Sequence, residues 1–282
     1  MKAPWTHLLE ALGERMDEHV PPEVAERIAR LTIETNAYGF DRWGMDIRLL
    51  RRLAVLAVFL YRKYFRVHAE GLENIPAGRV LIVGNHSGQI PMDGAMIWTA
   101  LLLGAEPPRV VRAMVEKLAP TLPFMSTIFA RTGQVTGTPE NCTRLLEENH
   151  AVMVFPEGVR GIGKSFGNRY TLQRFGSGFM RLALRTRSPI VPVGYIGAEE
   201  SVISLSQLKP LARLLGLPYI PLIPTILPIP LPTHHAIYFG KPLRFDGDPD
   251  EDERSIRRKV RKVEERVEKL IERGLGKRRT IF

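Results

Sequence analysis

The chain has 282 residues, 44% of them hydrophobic and 25% charged, a composition that allows a large hydrophobic core and excludes wholesale disorder. Its single cysteine, Cys142, excludes an internal disulfide, and no cysteine or histidine cluster has zinc-site spacing, so no structural metal is expected. Basic residues exceed acidic ones by ten, which makes a membrane surface or nucleic acid the usual partner, but no zinc finger or RNA-binding signature supports nucleic acid.

The N-terminal segment, residues 1–65, has helical patterns, one of which opens at Pro21-Pro22 and is expected to end near Gly39. A nine-residue apolar run at 53–61 is shorter than the roughly 20 residues that a membrane-spanning helix needs. It fits a helix lying in the membrane interface, and a buried helix with solvated ends is the alternative. Six basic residues and no acidic one surround this run: Arg48, Arg51, Arg52, Arg62, Lys63 and Arg66.

Short β-rich runs bounded by Gly, Pro or polar residues alternate with helical patterns over residues 66–247. One helix is expected to begin at Thr138-Pro139, and another is expected from about Thr171 to Ala183. Alternation of this kind predicts an α/β domain with a mostly parallel central sheet flanked by helices. The predicted strands lie within 79–85, 108–115, 133–137, 151–158, 188–197 and 235–240.

Two further segments complete the predicted organisation. Residues 208–232 contain seven prolines, which exclude a long helix or a central strand and predict an irregular apolar loop over the core or a lipid surface. Residues 248–282 predict an amphipathic helix that starts at an Asp248-Pro249 cap, ends near Gly274 and packs on the domain, followed by a basic tail.

Residues 158–165 match G-x-x-x-x-G-K-[ST], the pattern of a nucleotide-binding P-loop. A working P-loop enters a helix directly, whereas Gly167-Asn168 disfavours a helix that starts at Lys164. No aspartate ends a clear apolar strand, where nucleotide hydrolysis needs a magnesium ligand. A P-loop NTPase therefore remains a remote alternative, and Gly163 to Ser165 are expected to form a flexible basic loop.

A more promising site follows the first predicted strand, in the sequence NHSGQIPMD at residues 85–93. His86 lies where ligands normally bind in an α/β sheet, at the carboxyl end of a strand. An imidazole can accept a proton near neutral pH, and Asp93 is a candidate to orient it. A loop histidine beside a helix-capping aspartate is the alternative interpretation.

This stretch is the first of four blocks, NHSGQIPMD, FARTG, VFPEGVRG and IVPVGYIG, that occur in order between residues 65 and 245. Together they resemble the block set of the glycerolipid acyltransferase family, whose bacterial type member acylates lysophosphatidic acid. That family has four residues between its histidine and its aspartate, whereas this chain has six. The longer loop resembles the branch grouped with monoacylglycerol-type acyltransferases, and Gly88 with Pro91 makes a looped-out insertion feasible.

The resemblance implies a role for individual residues. His86 matches the catalytic histidine, Asp93 is the nearest match to its aspartate, and Pro192 falls in the fourth block. The residues expected to contact substrate are Asn85, Arg131, Glu157, Gly158 and Arg160.

The implied activity is transfer of a fatty acyl group from an acyl thioester, on coenzyme A or acyl carrier protein, to a hydroxyl of a lysophospholipid or other glycerolipid. The expected partners are therefore membrane lipids, the lysolipid acceptor and the acyl carrier, with no cofactor beyond this co-substrate and no metal. Lipid substrates, together with the absence of a secretory leader, predict a peripheral protein on the cytoplasmic face of the inner or plasma membrane. A non-catalytic lipid-binding protein that retains the acyltransferase fold is the alternative.

Overall fold

The computed structural model describes residues 19–88, 92–116, 125–208, 221–222 and 229–282. The strands in these ranges are β1 His68–Glu70, β2 Val80–Gly84, β3 Val111–Val115, β4 Val135–Thr136, β5 Ala151–Val154, β6 Ile190–Ile196, β7 Ser206–Gln207, β8 Pro221–Leu222 and β9 Ala236–Phe239. The α-helices are α1 Pro22–Ala29, α2 Ile47–Phe59, α3 Met92–Gly104, α4 Met125–Arg131, α5 Pro139–Glu147, α6 Val159–Ile162, α7 Gly178–Thr186, α8 Ala198–Ser201 and α9 Glu253–Lys277.

The central sheet in the described part of the chain has seven strands in the order β1-β9-β6-β2-β5-β3-β4. Every neighbouring pair is parallel except β6 with β9. The predicted α/β architecture with a mostly parallel sheet is confirmed, and the six predicted strands correspond to β2, β3, β4, β5, β6 and β9. Because β2, β5 and β6 run in the same direction, their carboxyl ends meet at one edge, which we call the carboxyl edge.

The two faces of the sheet are covered by different helices. Alternate residues of β2 point to opposite faces, so Ile82 packs in the cluster that contains α3. Leu81 packs in the cluster that contains α5, α7 and α9. Helix α9 contributes one buried stripe to that second cluster, formed by Ile256, Val260, Val263, Val267 and Ile271. The sheet is therefore buried on both faces, as its continuous apolar strands require.

The N-terminal helices form a third apolar cluster. Buried residues of α1 and α2 pack with Leu102 of α3 and Val110. Helix α1 ends at Ala29, about two helical turns beyond its start, and does not continue to Gly39 as predicted. Thr32, Ile33 and Thr35 follow it, and β-branched residues extend a helix poorly. Across the described ranges, no helix combines the length and the apolar character needed to cross a membrane.

Two other helix starts differ from the predictions. The carboxylate of Asp252, not that of Asp248, caps α9 by accepting a hydrogen bond from Ser255 N. Asp248 instead accepts from Asp250 N and closes a turn before the helix. Helix α7 begins at Gly178 and not near Thr171, because the backbone at Gln173 and Phe175 is held by long-range hydrogen bonds.

Helix α9 packs against β6 and β9. The division of the chain at residues 65 and 247 stays a prediction. Most of the proline-rich segment 208–232 lies outside the described residues, so the expectation of an irregular apolar loop there stays a prediction as well.

Candidate active site

Asn85 and His86 follow β2 directly and lie at the carboxyl edge. The Asn85 side chain is buried, donates from Nδ2 to Tyr195 O at 3.0 Å and accepts from Tyr195 N at 2.8 Å. These two bonds tie the end of β2 to β6 and fix the direction in which the chain leaves the strand. The amide is therefore engaged by the backbone of β6, and its contact with substrate stays a prediction.

His86 and Asp93 form a pair despite the six residues between them. His86 Nδ1 lies 2.7 Å from Asp93 Oδ2, and the Asp93 side chain is fully buried, while 15% of the His86 side chain is exposed. The aspartate also accepts from Ser87 N at 2.9 Å and from Gly94 N at 2.7 Å. Three donors and the first turn of α3 offset the cost of burying this carboxylate.

The loop between the pair depends on a glycine at its start. Gly88 has a φ of +78°, and a Cβ there would lie 2.8 Å from Ala198 O. Only glycine combines this backbone conformation with so close an approach. Pro91, the other residue that the sequence singled out in this loop, lies outside the described residues.

The imidazole of His86 is held from two sides. Its ring stacks on Phe155 with 4.3 Å between the ring centroids and 9° between the ring planes. Gly161 approaches from α6, where an added Cβ would lie 2.8 Å from His86 Cβ and 3.1 Å from His86 O. Gly161, which stands at a variable position of the P-loop pattern, therefore makes room for the histidine.

Glu157 supports the main chain of His86. Its carboxylate is buried, accepts from His86 N at 2.8 Å through Oε1 and accepts from Gln173 N at 2.7 Å through Oε2. Burial raises the pKa of Glu157, and the Lys164 ammonium and these two N–H donors act against that rise. Glu157 thus joins the loop after β2 to the segment before α7.

The expectation that Gly163 to Ser165 form a flexible basic loop is wrong for Lys164. Only 5% of its side chain is exposed, and its ammonium lies 2.8 Å from Glu199 Oε1 and 3.6 Å from Glu157 Oε2. The short helix α6 ends before this lysine, and a 3₁₀ turn at Phe166–Asn168 follows it. A P-loop needs the opposite arrangement, with a helix starting at the lysine, so this geometry is not that of a nucleotide site.

The hydrogen bonds of the two predicted arginines go to other groups than His86 and Asp93. Arg131 Nη2 donates to Asp46 Oδ2 at 2.6 Å, which joins the end of α4 to the residue that caps α2. Burial alone raises the pKa of Asp46, but the bonds from Arg131 and from backbone N–H groups hold it below its ordinary value. Arg160 is exposed and donates to Arg174 O at 3.1 Å. No contact described in this structure joins either arginine to His86, and their roles stay predictions.

Gly158, the remaining predicted residue, precedes α6 with a φ of +58°. Glu199 and the steric role of Gly161 were not predicted from the sequence. The available signal for Glu199 was its position just after β6, at the same carboxyl edge as His86.

The arrangement suits proton transfer. A buried carboxylate fixes one ring nitrogen of an accessible imidazole, and among the described residues none bonds the other nitrogen, Nε2. Such a pair can accept a proton from a hydroxyl and stabilise the imidazolium that results. Within the described ranges, no group of three His, Cys, Asp or Glu side chains is placed to hold a metal ion.

Comparison with known proteins bears on the family of the chain. The Acyltransferase family model matches residues 66–196, which include His86, Asp93 and Glu157. An uncharacterized protein of Mycobacterium tuberculosis is 36% identical over 261 residues, covering 88% of this chain and 73% of its own. A Mycoplasma pneumoniae protein named as a probable 1-acyl-sn-glycerol-3-phosphate acyltransferase is 26% identical over 177 residues, or 60% of this chain and 64% of its own.

The fold has a solved counterpart in the 1-acyl-sn-glycerophosphate acyltransferase PlsC of Thermotoga maritima, with a TM-score of 0.54, 18% identity, and coverage of 83% of this chain and 82% of that one. Fold and family matches together define an acyltransferase. The chain belongs to the glycerolipid acyltransferase family, as its four sequence blocks indicated.

Proposed function

We propose that the protein is an O-acyltransferase that moves a fatty acyl group from an acyl thioester to a hydroxyl of a lysophospholipid or other glycerolipid, with His86 as the general base. The donor is acyl-coenzyme A or acyl carrier protein. The observation that carries the proposal is the 2.7 Å contact between His86 Nδ1 and the fully buried Asp93.

In the proposed reaction, Asp93 accepts a hydrogen bond from Nδ1–H of His86, which leaves Nε2 to accept the proton of the acceptor hydroxyl. The hydroxyl oxygen attacks the thioester carbonyl carbon, and the C–S bond then breaks. The imidazolium returns its proton to the thiolate, so the products are an oxygen ester and a thiol. Since a thiol has a pKa of about 8.5, it leaves readily and no covalent enzyme intermediate is required.

The acceptor lipids to test are chosen from the named relatives and from the spacing between His86 and Asp93. The Mycoplasma relative and the Thermotoga structure are named for 1-acylglycerol-3-phosphate, which makes that lipid the first acceptor to test. The six-residue spacing between His86 and Asp93 supports including monoacylglycerols. We expect Arg131, Arg160 and the backbone at Gly158 to contact the polar headgroup.

Product identification tests the proposed function directly. Purified protein is incubated with a panel of lysolipids and monoacylglycerol, each with acyl-coenzyme A and with acyl carrier protein, and the lipids are analysed by mass spectrometry. We expect one mole of thiol released per mole of new ester for at least one pair. Binding to vesicles without turnover for any pair would contradict the proposal and favour a non-catalytic lipid-binding protein.

We propose further that α2 places the protein on the cytoplasmic face of the membrane as a peripheral protein. One face of α2 packs in the N-terminal cluster, while Leu56 and Phe59 on the outer face are 52% and 53% exposed. Arg48 and Lys63 are exposed near them. Exposed apolar side chains beside cations suit an interface that carries anionic headgroups.

A double substitution tests this surface. Leu56→Ser with Phe59→Ser is expected to weaken binding to anionic phospholipid vesicles by about tenfold or more, because burying each side chain contributes on the order of 1.5–3 kcal/mol. Vesicle sedimentation measures the partition, and Ile281→Ser, a change at another exposed apolar residue, is the matched control. Equal binding by the double variant and the control would contradict the assignment of α2.

A further inference from the structure

Buried contacts run from Lys164 to the backbone of His86. The Lys164 ammonium lies 2.8 Å from Glu199 and 3.6 Å from Glu157, and Glu157 accepts a hydrogen bond from His86 N at 2.8 Å. The three side chains from Lys164, Glu157 and Glu199 are almost fully buried, with at most 6% exposed. The proposed reaction assigns no step to Lys164 or Glu199, so their burial at the carboxyl edge needs another explanation.

Glu157 holds both loops best as an anion. Each of its oxygens accepts one backbone N–H, from His86 and from Gln173. A protonated carboxyl group carries a donor on one oxygen, and that hydrogen would face a backbone N–H that also donates. One of the two bonds would then be lost, and a buried N–H without an acceptor costs about 1–3 kcal/mol.

The charges around Glu157 show what keeps it ionised. Burial raises its pKa, as it raises that of Glu199, and in both cases the Lys164 ammonium acts against the rise. The charged or titratable groups that face Glu157 are Lys164, His86 and Glu199. Lys164 is the largest of the influences that oppose the rise in the pKa of Glu157, ahead of His86.

Lys164 is itself fixed from the far side of the site. Glu199 is the second residue of α8, just after β6, and its other oxygen accepts from Tyr170 N at 2.6 Å. The ammonium also donates to Thr171 O at 3.4 Å. The position of Lys164 is therefore set by Glu199 in α8 and by the backbone at Thr171.

We propose that Lys164 is a positioning residue for His86: its ammonium keeps Glu157 anionic, and Glu157 then holds the His86 main chain so that the ring meets Asp93. The expected effect on the reaction rate rests on the proposed function, in which His86 is the base. The positioning role is independent of that function, because it concerns only the hydrogen bonds from the backbone N–H groups of His86 and Gln173 to Glu157.

The test uses Lys164→Met, which keeps the length of the side chain and removes its charge. We expect kcat at pH 7 to fall about ten- to a hundredfold with little change in KM, because a small displacement of a catalytic group has effects of this size. Activity should recover as the pH rises and Glu157 ionises, which adds an acidic limb absent from the wild type. Lys164→Arg should restore most of the activity, and Lys262→Met, on the exposed face of α9, should leave it unchanged.

A second measurement does not depend on catalysis. In Lys164→Met, hydrogen exchange at the amides of His86 and Gln173 should be faster than in the wild type after correction for intrinsic rates, and most so at low pH. If the wild type proves to have no transferase activity, the proposed function fails while this exchange result still decides the positioning role. Unchanged exchange together with an unchanged pH profile would overturn the inference.

Glu199→Gln is a second variant that keeps the inference testable if Lys164→Met fails to fold. Its expected effect on the ionisation of Glu157 is opposite to that of Lys164→Met. It removes the carboxylate that competes for Lys164 and retains an oxygen that can accept from Tyr170 N. Glu157 should then stay ionised to lower pH, so exchange at His86 should be no faster than in the wild type. Faster exchange in Glu199→Gln in folded protein would contradict the charge-based mechanism.

Discussion

Replacement of His86 by alanine is expected to lower kcat by about 10²- to 10⁴-fold, because it removes the proposed base for the acceptor hydroxyl. The ring is partly exposed, and Asp93 keeps its two backbone N–H donors when the imidazole is removed, so the variant should remain folded. Thiol release from acyl-coenzyme A with a lysolipid acceptor measures the rate, and circular dichroism with thermal unfolding checks the fold.

The matched control is His68→Ala. His68 lies in β1, is 63% exposed and contacts Glu70, so its removal changes a histidine without touching the site. We expect this control to retain the wild-type rate. A His86→Ala protein that is folded and as active as the control would show that His86 is not the base.

Asp93→Asn is expected to have the second largest effect, a fall in kcat of about 10²- to 10⁴-fold, as in other histidine–carboxylate pairs that lose the charge. The amide can still accept one of the hydrogen bonds from Ser87 N and Gly94 N, so the start of α3 should keep its conformation. It cannot both accept from Nδ1–H and stabilise an imidazolium, and the ring would favour the tautomer with a proton on Nε2. That tautomer cannot act as the base.

Kinetics over a range of pH, with KM measured separately, distinguish this effect from loss of substrate binding. Asp246→Asn, a change at an exposed aspartate, serves as the control and should behave as the wild type. If Asp93→Asn changed only KM, or only thermal stability, the aspartate would be part of the scaffold and not of the proton-transfer pair.

The alternative of a non-catalytic scaffold would have been favoured by a wide separation of His86 and Asp93, and the observed distance is 2.7 Å. The spacing of six residues does not prevent the pair: Gly88 has a φ of +78°, and Asp93 lies in the first turn of α3. The departure from the family pattern is therefore compatible with the same proton-transfer geometry.

The sequence by itself determined the strands of the sheet and the candidate pair. Strand boundaries are local, since they depend on short apolar runs that end at Gly, Pro or polar residues, and the predicted runs coincide with six strands of the central sheet. The position of His86 at a carboxyl end follows from the strand before it. The four ordered blocks also indicated the family, because their combination is specific to it, whereas each block alone is weak evidence.

Only the tertiary structure decided which charges meet. Lys164 looked like part of a phosphate-binding loop, yet Glu199, which follows a strand distant in sequence, lies against it. Gly161, at a variable position of the same pattern, makes room for His86. Helix α1 ends before the predicted Gly39, and α7 begins after the predicted Thr171 because long-range hydrogen bonds hold the backbone in between. Local patterns report backbone preference, whereas the partner of a buried charge depends on how distant strands order in the sheet, and no short stretch of sequence contains that order.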